Sequence, residues 1–228
     1  MRSSRLSAPD LMSGGMRLTK LGHACVRLER DGSVLVIDPG SAPFADAAAA
    51  LEGADAVLIT HQHPDHVDAD AVRAAYAADP GLLVVAPTDM VSALEGLGDS
   101  LRGVGPGESL EAAGFQVATV GGQHAEIHPE LPRPENVGYL IDGGAIYHPG
   151  DAFAVPGVEV ETLLVPVHAP WSKIAEVIDF VRAVAPLRAY AIHDGLLNET
   201  GLGLIARHVG NLGGATYERL TPGTAVDL

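Results

Sequence analysis

The segment Thr60-His61-Gln62-His63-Pro64-Asp65-His66 constrains this chain more than any other feature. It crowds three imidazoles and a carboxylate into six positions at the end of the apolar run Ala56–Thr60. A run of that kind reads as a buried strand. At its end His61 and His63, two residues apart, can face the same way, while Pro64 stiffens the turn that presents Asp65 and His66. Imidazoles and carboxylates together suit Zn²⁺ and also accept Mn²⁺ or Fe²⁺. The plain alternative is a solvated polar loop. Four ligands from one loop can close a structural site, whereas an open catalytic site needs further donors and room for water.

Further donors stand in three other loops, each just after a predicted strand. They are His124 in Gly121-Gly122-Gln123-His124, Asp151 in His148-Pro149-Gly150-Asp151, and His193 in Ala191-Ile192-His193-Asp194. Taken singly, each reads equally well as a surface polar group.

The pattern along the chain predicts strands at Arg17–Leu21, Ala24–Glu29 and Val34–Ile37, the last two joined by the turn dipeptide Asp31-Gly32. A short Ala-rich helix near Asp46–Leu51, the strand at Ala56–Thr60, and a helix capped by Asp68 or Asp70 and ending at Ala78 follow. A strand at Leu82–Ala86 and a helix from about Asp89 to Leu97 close the first half. After Gly105-Pro106-Gly107, strands are expected at Phe115–Val120, Val137–Ile141 and Ala145–Tyr147, with Asp142-Gly143 as a second hairpin turn, and then at Thr162–Val165. Ser172 is the expected cap of a helix whose apolar residues Ile174, Val177, Ile178 and Val181 keep the i, i+3, i+4, i+7 period. A strand Arg188–Ile192 ending at His193, a helix near Leu202–Val209 and a strand near Thr216–Leu220 complete the pattern. Each half thus runs from antiparallel-looking strands into strands alternating with helices, which reads as one α/β domain with two similar halves.

Composition narrows the partners. The 228 residues suffice for one large domain, and 47% hydrophobic with 19% charged residues is an ordinary globular balance. Lys and Arg total 14 against 29 Asp and Glu, a net charge of −15 with His neutral. So acidic a chain repels nucleic acid and anionic membranes, though a pocket can still attract a small anion. Cys25 is the only cysteine, which excludes an internal disulfide and a thiolate ligand cluster. No apolar run approaches a membrane span. Residues 1–15 lack the apolar core of a secretory signal and read as a disordered leader before a single domain at 16–228. The expected compartment is cytoplasmic, and the sequence is compatible with a homo-oligomer.

These motifs resemble those of the metallo-β-lactamase superfamily, whose pattern is an Asp ending an early strand, then HxHxDH, then a His, an Asp and a His. Asp38 in Val36-Ile37-Asp38-Pro39-Gly40 fits the first element, His61, His63, Asp65 and His66 the second, and His124, Asp151 and His193 the others in order. The text Leu21-Gly22-His23-Ala24-Cys25 and Tyr147-His148-Pro149-Gly150-Asp151 resembles the branch containing ascorbate-6-phosphate lactonase. The resemblance implies a four-layer αβ/βα sandwich of two mixed β-sheets with helices outside. It also implies two divalent ions, Zn²⁺ before Mn²⁺ or Fe²⁺. His61, His63 and His124 would bind one and Asp65, His66 and His193 the other. Asp151 would bridge them, and Asp38 would stay in a supporting role.

By the same resemblance the chain is a metal-dependent hydrolase using a metal-bound hydroxide on a small ester, lactone or phosphoester, with Asp65, His23 and His148 as candidate catalytic groups. His128 and His148, close to His124 and Asp151, are placed to reach a substrate oxygen, against the plain reading of each as a supporting or exposed histidine. Trp171, after the strand Thr162–Val165, suits either the substrate cleft or core packing. Cys25 reads as a small core residue. The competing functions are a metallo-phosphodiesterase or nuclease on nucleic acid, an iron oxidoreductase, and a non-catalytic metal-binding module. The acidic balance disfavours the first, the lack of space for an added redox domain the second, and the intact donor set the third.

Overall fold

A computed structural model describes residues 15–228, so the expected leader lies, apart from Gly15, outside the described residues. The first sheet is built from Arg17–Lys20 (β1), Val26–Arg30 (β2), Ser33–Ile37 (β3), Ala56–Leu58 (β4), Leu83–Pro87 (β5) and Leu101–Val104 (β6). Ala47–Ala50 (α1) and Ala69–Ala78 (α2) lie between β3 and β5. The second sheet takes Ser109–Ala112 (β7), Phe115–Gly121 (β8), Val137–Ile141 (β9), Ile146–His148 (β10), Thr162–Pro166 (β11), Arg188–Ile192 (β12) and Thr216–Glu218 (β13). Ile174–Val184 (α3) and Glu199–Leu212 (α4) flank β12 in sequence, and Ala225–Asp227 (β14) returns to pair with β1.

The strand orders are β14-β1-β2-β3-β4-β5-β6 and β13-β12-β11-β10-β9-β8-β7. In the first sheet β14 to β3 pair antiparallel and β3 to β6 parallel. The second mirrors this, antiparallel from β7 to β10 and parallel from β10 to β13. Each half therefore joins hairpins to parallel crossover connections, as the alternation of elements in the sequence implies.

Side-chain alternation turns the two sheets into four layers. Along β3, Leu35 and Ile37 enter the cluster between the sheets, where they meet Phe115, Tyr139, Ile141 and Ile192. Val34 and Val36 enter the opposite cluster, with Val57, Val84 and the helical Val72. The outer face of the second sheet buries Leu163, Val165 and Ala189 against Val177, Val181 and Val209 of α3 and α4. A period of two with both faces apolar is what a sheet covered on both sides requires. The architecture is the αβ/βα sandwich implied by the resemblance.

Several local expectations change. The helix expected at Asp89–Leu97 is a 3₁₀ stretch, Thr88–Leu94. The Asp89 N–H is taken by the Glu135 carboxylate, and the N-cap residue Pro87 contributes no side-chain bond. Ser172 does not cap α3. Its hydroxyl accepts from the Ala169 N–H, while the Glu176 carboxylate reaches back to the N–H of Lys173. Helix α4 is capped by Asn198 and extends beyond the expected Leu202–Val209. Among the described residues no helix is long and apolar enough to cross a membrane.

Candidate metal centre

The candidate ligands follow the ends of β4, β8, β10 and β12, with Asp38 at the end of β3 beneath them, so the loops at one edge of the sandwich meet over the buried apolar layer. Carboxyl ends of strands are the usual place for such a site in α/β folds. Two of these ends turn sharply. Asp38 has φ 52° and His193 φ 57°, left-handed conformations uncommon for residues other than glycine. His193 is held there by its N–H bond to the His23 carbonyl, 2.8 Å. Gly40 lets the chain pass against the next loop, since a Cβ there would overlap the Asp65 carbonyl.

Asp38 organises the His61–His66 loop from beneath. It is fully buried and accepts the Thr60 N–H at 2.8 Å, the Thr60 hydroxyl at 2.7 Å and the His66 Nδ1–H at 2.6 Å. The Thr60 hydroxyl, having given its proton to Asp38, accepts from His61 Nδ1 at 3.0 Å. His124 Nδ1 bonds the Ala125 carbonyl and His193 Nδ1 the His168 carbonyl, 2.6 Å. An oxygen partner at Nδ1 assigns the proton to that nitrogen and leaves the Nε2 lone pair free for a cation. His61, His66, His124 and His193 are all set in this way.

The free nitrogens converge. His61, His63 and His124 form one group, and His23, Asp65, His66 and His193 a second; within each, the donor atoms lie within 4.8 Å of one another. Asp151 joins them, with Oδ1 3.1 Å from His66 Nε2 and Oδ2 3.1 Å from His193 Nε2 and 3.4 Å from His124 Nε2. His61 Nε2 and His63 Nδ1 are 3.1 Å apart. Ligands about 2.0–2.1 Å from a tetrahedral Zn²⁺ stand roughly 3.3 Å from each other, so these spacings fit donors sharing an ion. The Nε2 atoms of His23, His66, His124 and His193 and Oδ1 of Asp151 are buried without a hydrogen-bond partner. Orphaned buried polar atoms are rare, and five at one point call for a ligand.

Charge balance gives the same picture. Burial pushes the imidazole pKa down at His61 and His63. Burial also opposes the charge on His66, but Asp151 and Asp38 outweigh it and raise that pKa well above the usual value. At His193, burial is likewise outweighed, chiefly by Asp151, and the pKa is pushed up to about 9. Burial raises Asp65 and Asp151, yet the surrounding histidines hold both carboxyls low and ionised. The neighbouring carboxylates thus favour a second proton, at Nε2, on His66 and His193, which an incoming cation must displace. Metal uptake is expected to release a proton from each, and affinity should fall as the pH drops from about 9. Calorimetry in buffers of different ionisation enthalpy measures this, and uptake with no proton release would refute it.

The sequence-predicted residues divide. His61, His63, Asp65, His66, His124, Asp151 and His193 meet at the centre, and His23 points into it. His148 does not, which corrects its place among the candidate catalytic groups. It is fully buried, its Nε2–H donates to the Ala24 carbonyl at 3.0 Å, and its Nδ1 accepts from the Gly150 N–H at 3.2 Å. Nε2 thus ties the end of β10 to the loop before β2, and Nδ1 holds the turn that follows β10. His128 is exposed and accepts from the Glu130 N–H, and His168 offers only its carbonyl, to His193. Cys25 is buried in the core, as expected.

Three residues join the site that the motif did not supply. Thr60 relays between Asp38 and His61. Asn136 clasps the Asp151 loop, accepting the Asp151 N–H at 2.9 Å and donating to the Pro149 carbonyl at 2.9 Å. Trp171 donates its indole N–H to Asp151 Oδ2 at 2.9 Å, while its ring, with Gln123, Arg133 and Phe153, lines a shallow cleft beside His124. Trp171 thus takes part in both the cleft and the centre.

Known proteins are similar to this chain in sequence and in fold. A family model described as "Beta-lactamase superfamily domain" matches residues 17–193. Protein Rv0786c of Mycobacterium tuberculosis is 38% identical over 217 residues, covering 93% of this chain and 95% of that protein. A UPF0173 metal-dependent hydrolase of Agrobacterium fabrum is 33% identical over 150 residues, 60% of this chain and 63% of the relative. Among solved structures, the metallo-β-lactamase fold protein YhfI of Bacillus subtilis superposes with a TM-score of 0.73 at 14% identity, over 93% of this chain and 99% of YhfI. With more than half its length matched by the family model and its two mixed sheets arranged alike, the chain belongs to the metallo-β-lactamase superfamily.

Proposed function

We propose that this chain is a metal-dependent hydrolase with a dinuclear centre, acting on a small, anionic ester, lactone or phosphoester. The observation that carries the reading is the set of buried, partnerless ligand atoms on His66, His124, His193 and Asp151, which stand among two clusters of His and Asp donors with Asp151 between them. The relative named as a metal-dependent hydrolase supports it. In this reading His61, His63 and His124 would hold one ion and Asp65, His66 and His193 the other, with Asp151 shared between them; the imidazole-rich set would prefer Zn²⁺, with Mn²⁺ or Fe²⁺ as alternatives. When bound, such a pair of ions supplies Lewis acidity and makes a water nucleophilic near neutral pH.

The remaining work falls to the chain itself. Asp38 and Thr60 keep His61 and His66 in the tautomer that offers Nε2, and the carbonyls of Ala125 and His168 do the same for His124 and His193. Trp171 and Asn136 fix the direction of Asp151. Among the described residues only Asp65 and Asp151 bring negative charge into direct contact with the centre, fewer charges than two dications would carry, so an anionic substrate is attracted locally although the chain bears −15 overall. That overall charge supports a small-molecule substrate over nucleic acid or an anionic membrane surface.

Elemental analysis of protein purified without chelator tests the centre. About two equivalents per chain are expected, falling by at least one in His61→Ala. A wild-type chain that takes up no Zn²⁺, Mn²⁺ or Fe²⁺ would sink the reading. Turnover of p-nitrophenyl esters, lactones and bis(p-nitrophenyl) phosphate by the loaded enzyme then separates the substrate classes.

A further inference from the structure

His23 differs from four of the other imidazoles at the centre in the polarity of the partner at Nδ1. His61, His66, His124 and His193 each turn Nδ1 to an oxygen. At His23 the partner is a donor: the Gly195 N–H gives a hydrogen bond to Nδ1 at 2.9 Å. An amide N–H cannot accept, so Nδ1 keeps its lone pair, and the neutral ring carries its proton on Nε2. The opposite tautomer, which a metal at Nε2 requires, would aim two N–H groups at each other.

The ring is also locked in place. The His23 carbonyl accepts the His193 N–H at 2.8 Å, and the Phe44 and His193 rings pack on it with centroids at 5.1 and 3.9 Å. Gly195 makes the close approach tolerable, because a Cβ there would lie 2.9 Å from His23 Nδ1. Held so, Nε2 is buried and has no hydrogen-bond partner. Asp65 Oδ2 stands 3.5 Å away and does not satisfy it.

We propose that His23 is a hydrogen-bond donor and not a metal ligand, its Nε2–H directed at an oxygen of the bound reactant that gains negative charge as a carbonyl or phosphoryl group is attacked. The inference rests on the hydrolase reading of the same centre. His23 keeps its proton in this role. It offers a fixed N–H at the Asp65 side of the site, where a buried donor without a partner acquires one only when the reactant arrives.

The test uses the metal-loaded full chain. In ¹¹³Cd-loaded protein with ¹⁵N-labelled histidine rings, the His23 signal, assigned through its absence in His23→Gln, is expected to show a protonated Nε2 without coupling to cadmium. The ligating nitrogens should show that coupling. A coupled, unprotonated His23 Nε2 overturns the proposal. His23→Leu and His23→Gln should both retain the wild-type metal content, and loss of one equivalent in both would make His23 a ligand. Inorganic phosphate serves as the probe of a tetrahedral anion. Its affinity for the zinc-loaded protein should fall about 10- to 100-fold in His23→Leu and largely return in His23→Gln, which keeps an N–H near the same point. Equal phosphate affinity in all three proteins overturns the donor role while leaving the metal centre standing. A wild-type chain without metal would remove the hydrolase reading and this proposal together.

Discussion

Asp151→Ala is expected to lower turnover at least about a thousandfold and to reduce bound metal, a larger effect than loss of any single histidine from one group. The reason is position. His61, His63 and His124 converge on one side and Asp65, His66 and His193 on the other, and Asp151 alone presents an oxygen to each, 3.1 Å from His66 and His193 and 3.4 Å from His124. Its removal also withdraws the charge that holds the His193 pKa up to about 9, so that ring reverts toward the neutral form its burial favours. Two further groups lose their purpose, since the Trp171 indole N–H and the Asn136 amide are both spent on orienting the Asp151 loop. Metal content and initial rates, measured together on Asp151→Ala and Trp171→Phe, separate ligation from orientation. Trp171→Phe should keep its metal and lose only part of the rate, because it removes one hydrogen bond to a carboxylate that keeps its place. Wild-type metal content and rate in Asp151→Ala would refute the shared role.

What could be seen in the sequence was what is local. His61 to His66 stand within one turn of chain, and His124, Asp151 and His193 each follow an apolar run that ends at the same edge, so strand periodicity and motif order together pointed to one site. The strands β6, β7 and β14 were missed because Leu101–Val104, Ser109–Ala112 and Ala225–Asp227 are short, carry charged or small residues, and are strands only through pairing with neighbours. Sheet propensity lies in such cross-strand contacts more than in the residues themselves. His23 and His148 looked alike in sequence, each beside a motif. Only the partners of their ring nitrogens distinguish them: a centre lacking one hydrogen bond for His23, two backbone groups for His148. Trp171 and Asn136 reach Asp151 across 20 and 15 residues, separations that leave no pattern to find.

Least legible of all was Lys20, and it carries the second large prediction. Its ammonium is buried and donates to the Ala191 carbonyl at 2.7 Å and to Asp194 Oδ1 at 2.6 Å, 171 and 174 residues away in sequence. Arg219 closes the other side of the same carboxylate, with Nε 2.7 Å from Oδ2. Asp194 is thus the shared anion of two cations, directly behind His193 and next to the Gly195 N–H that meets His23. Burial already lowers the Lys20 pKa against the opposing pull of Asp194. Asp194→Ala removes that pull and leaves a buried ammonium with one carbonyl and a nearby Arg219 of like charge. Breaking a buried pair in this way costs about 3–5 kcal/mol, or roughly 6–20 °C in melting temperature for a chain of this size. Replacing both partners, as in Lys20→Met with Asp194→Leu, should recover part of the loss, since no buried ammonium then remains to be solvated. Thermal denaturation of the metal-free forms measures this without contribution from bound ions. If Asp194→Ala melts with the wild type, the buried cluster is not what holds the His193 loop, and the left-handed turn at His193 must be secured by its bond to the His23 carbonyl alone.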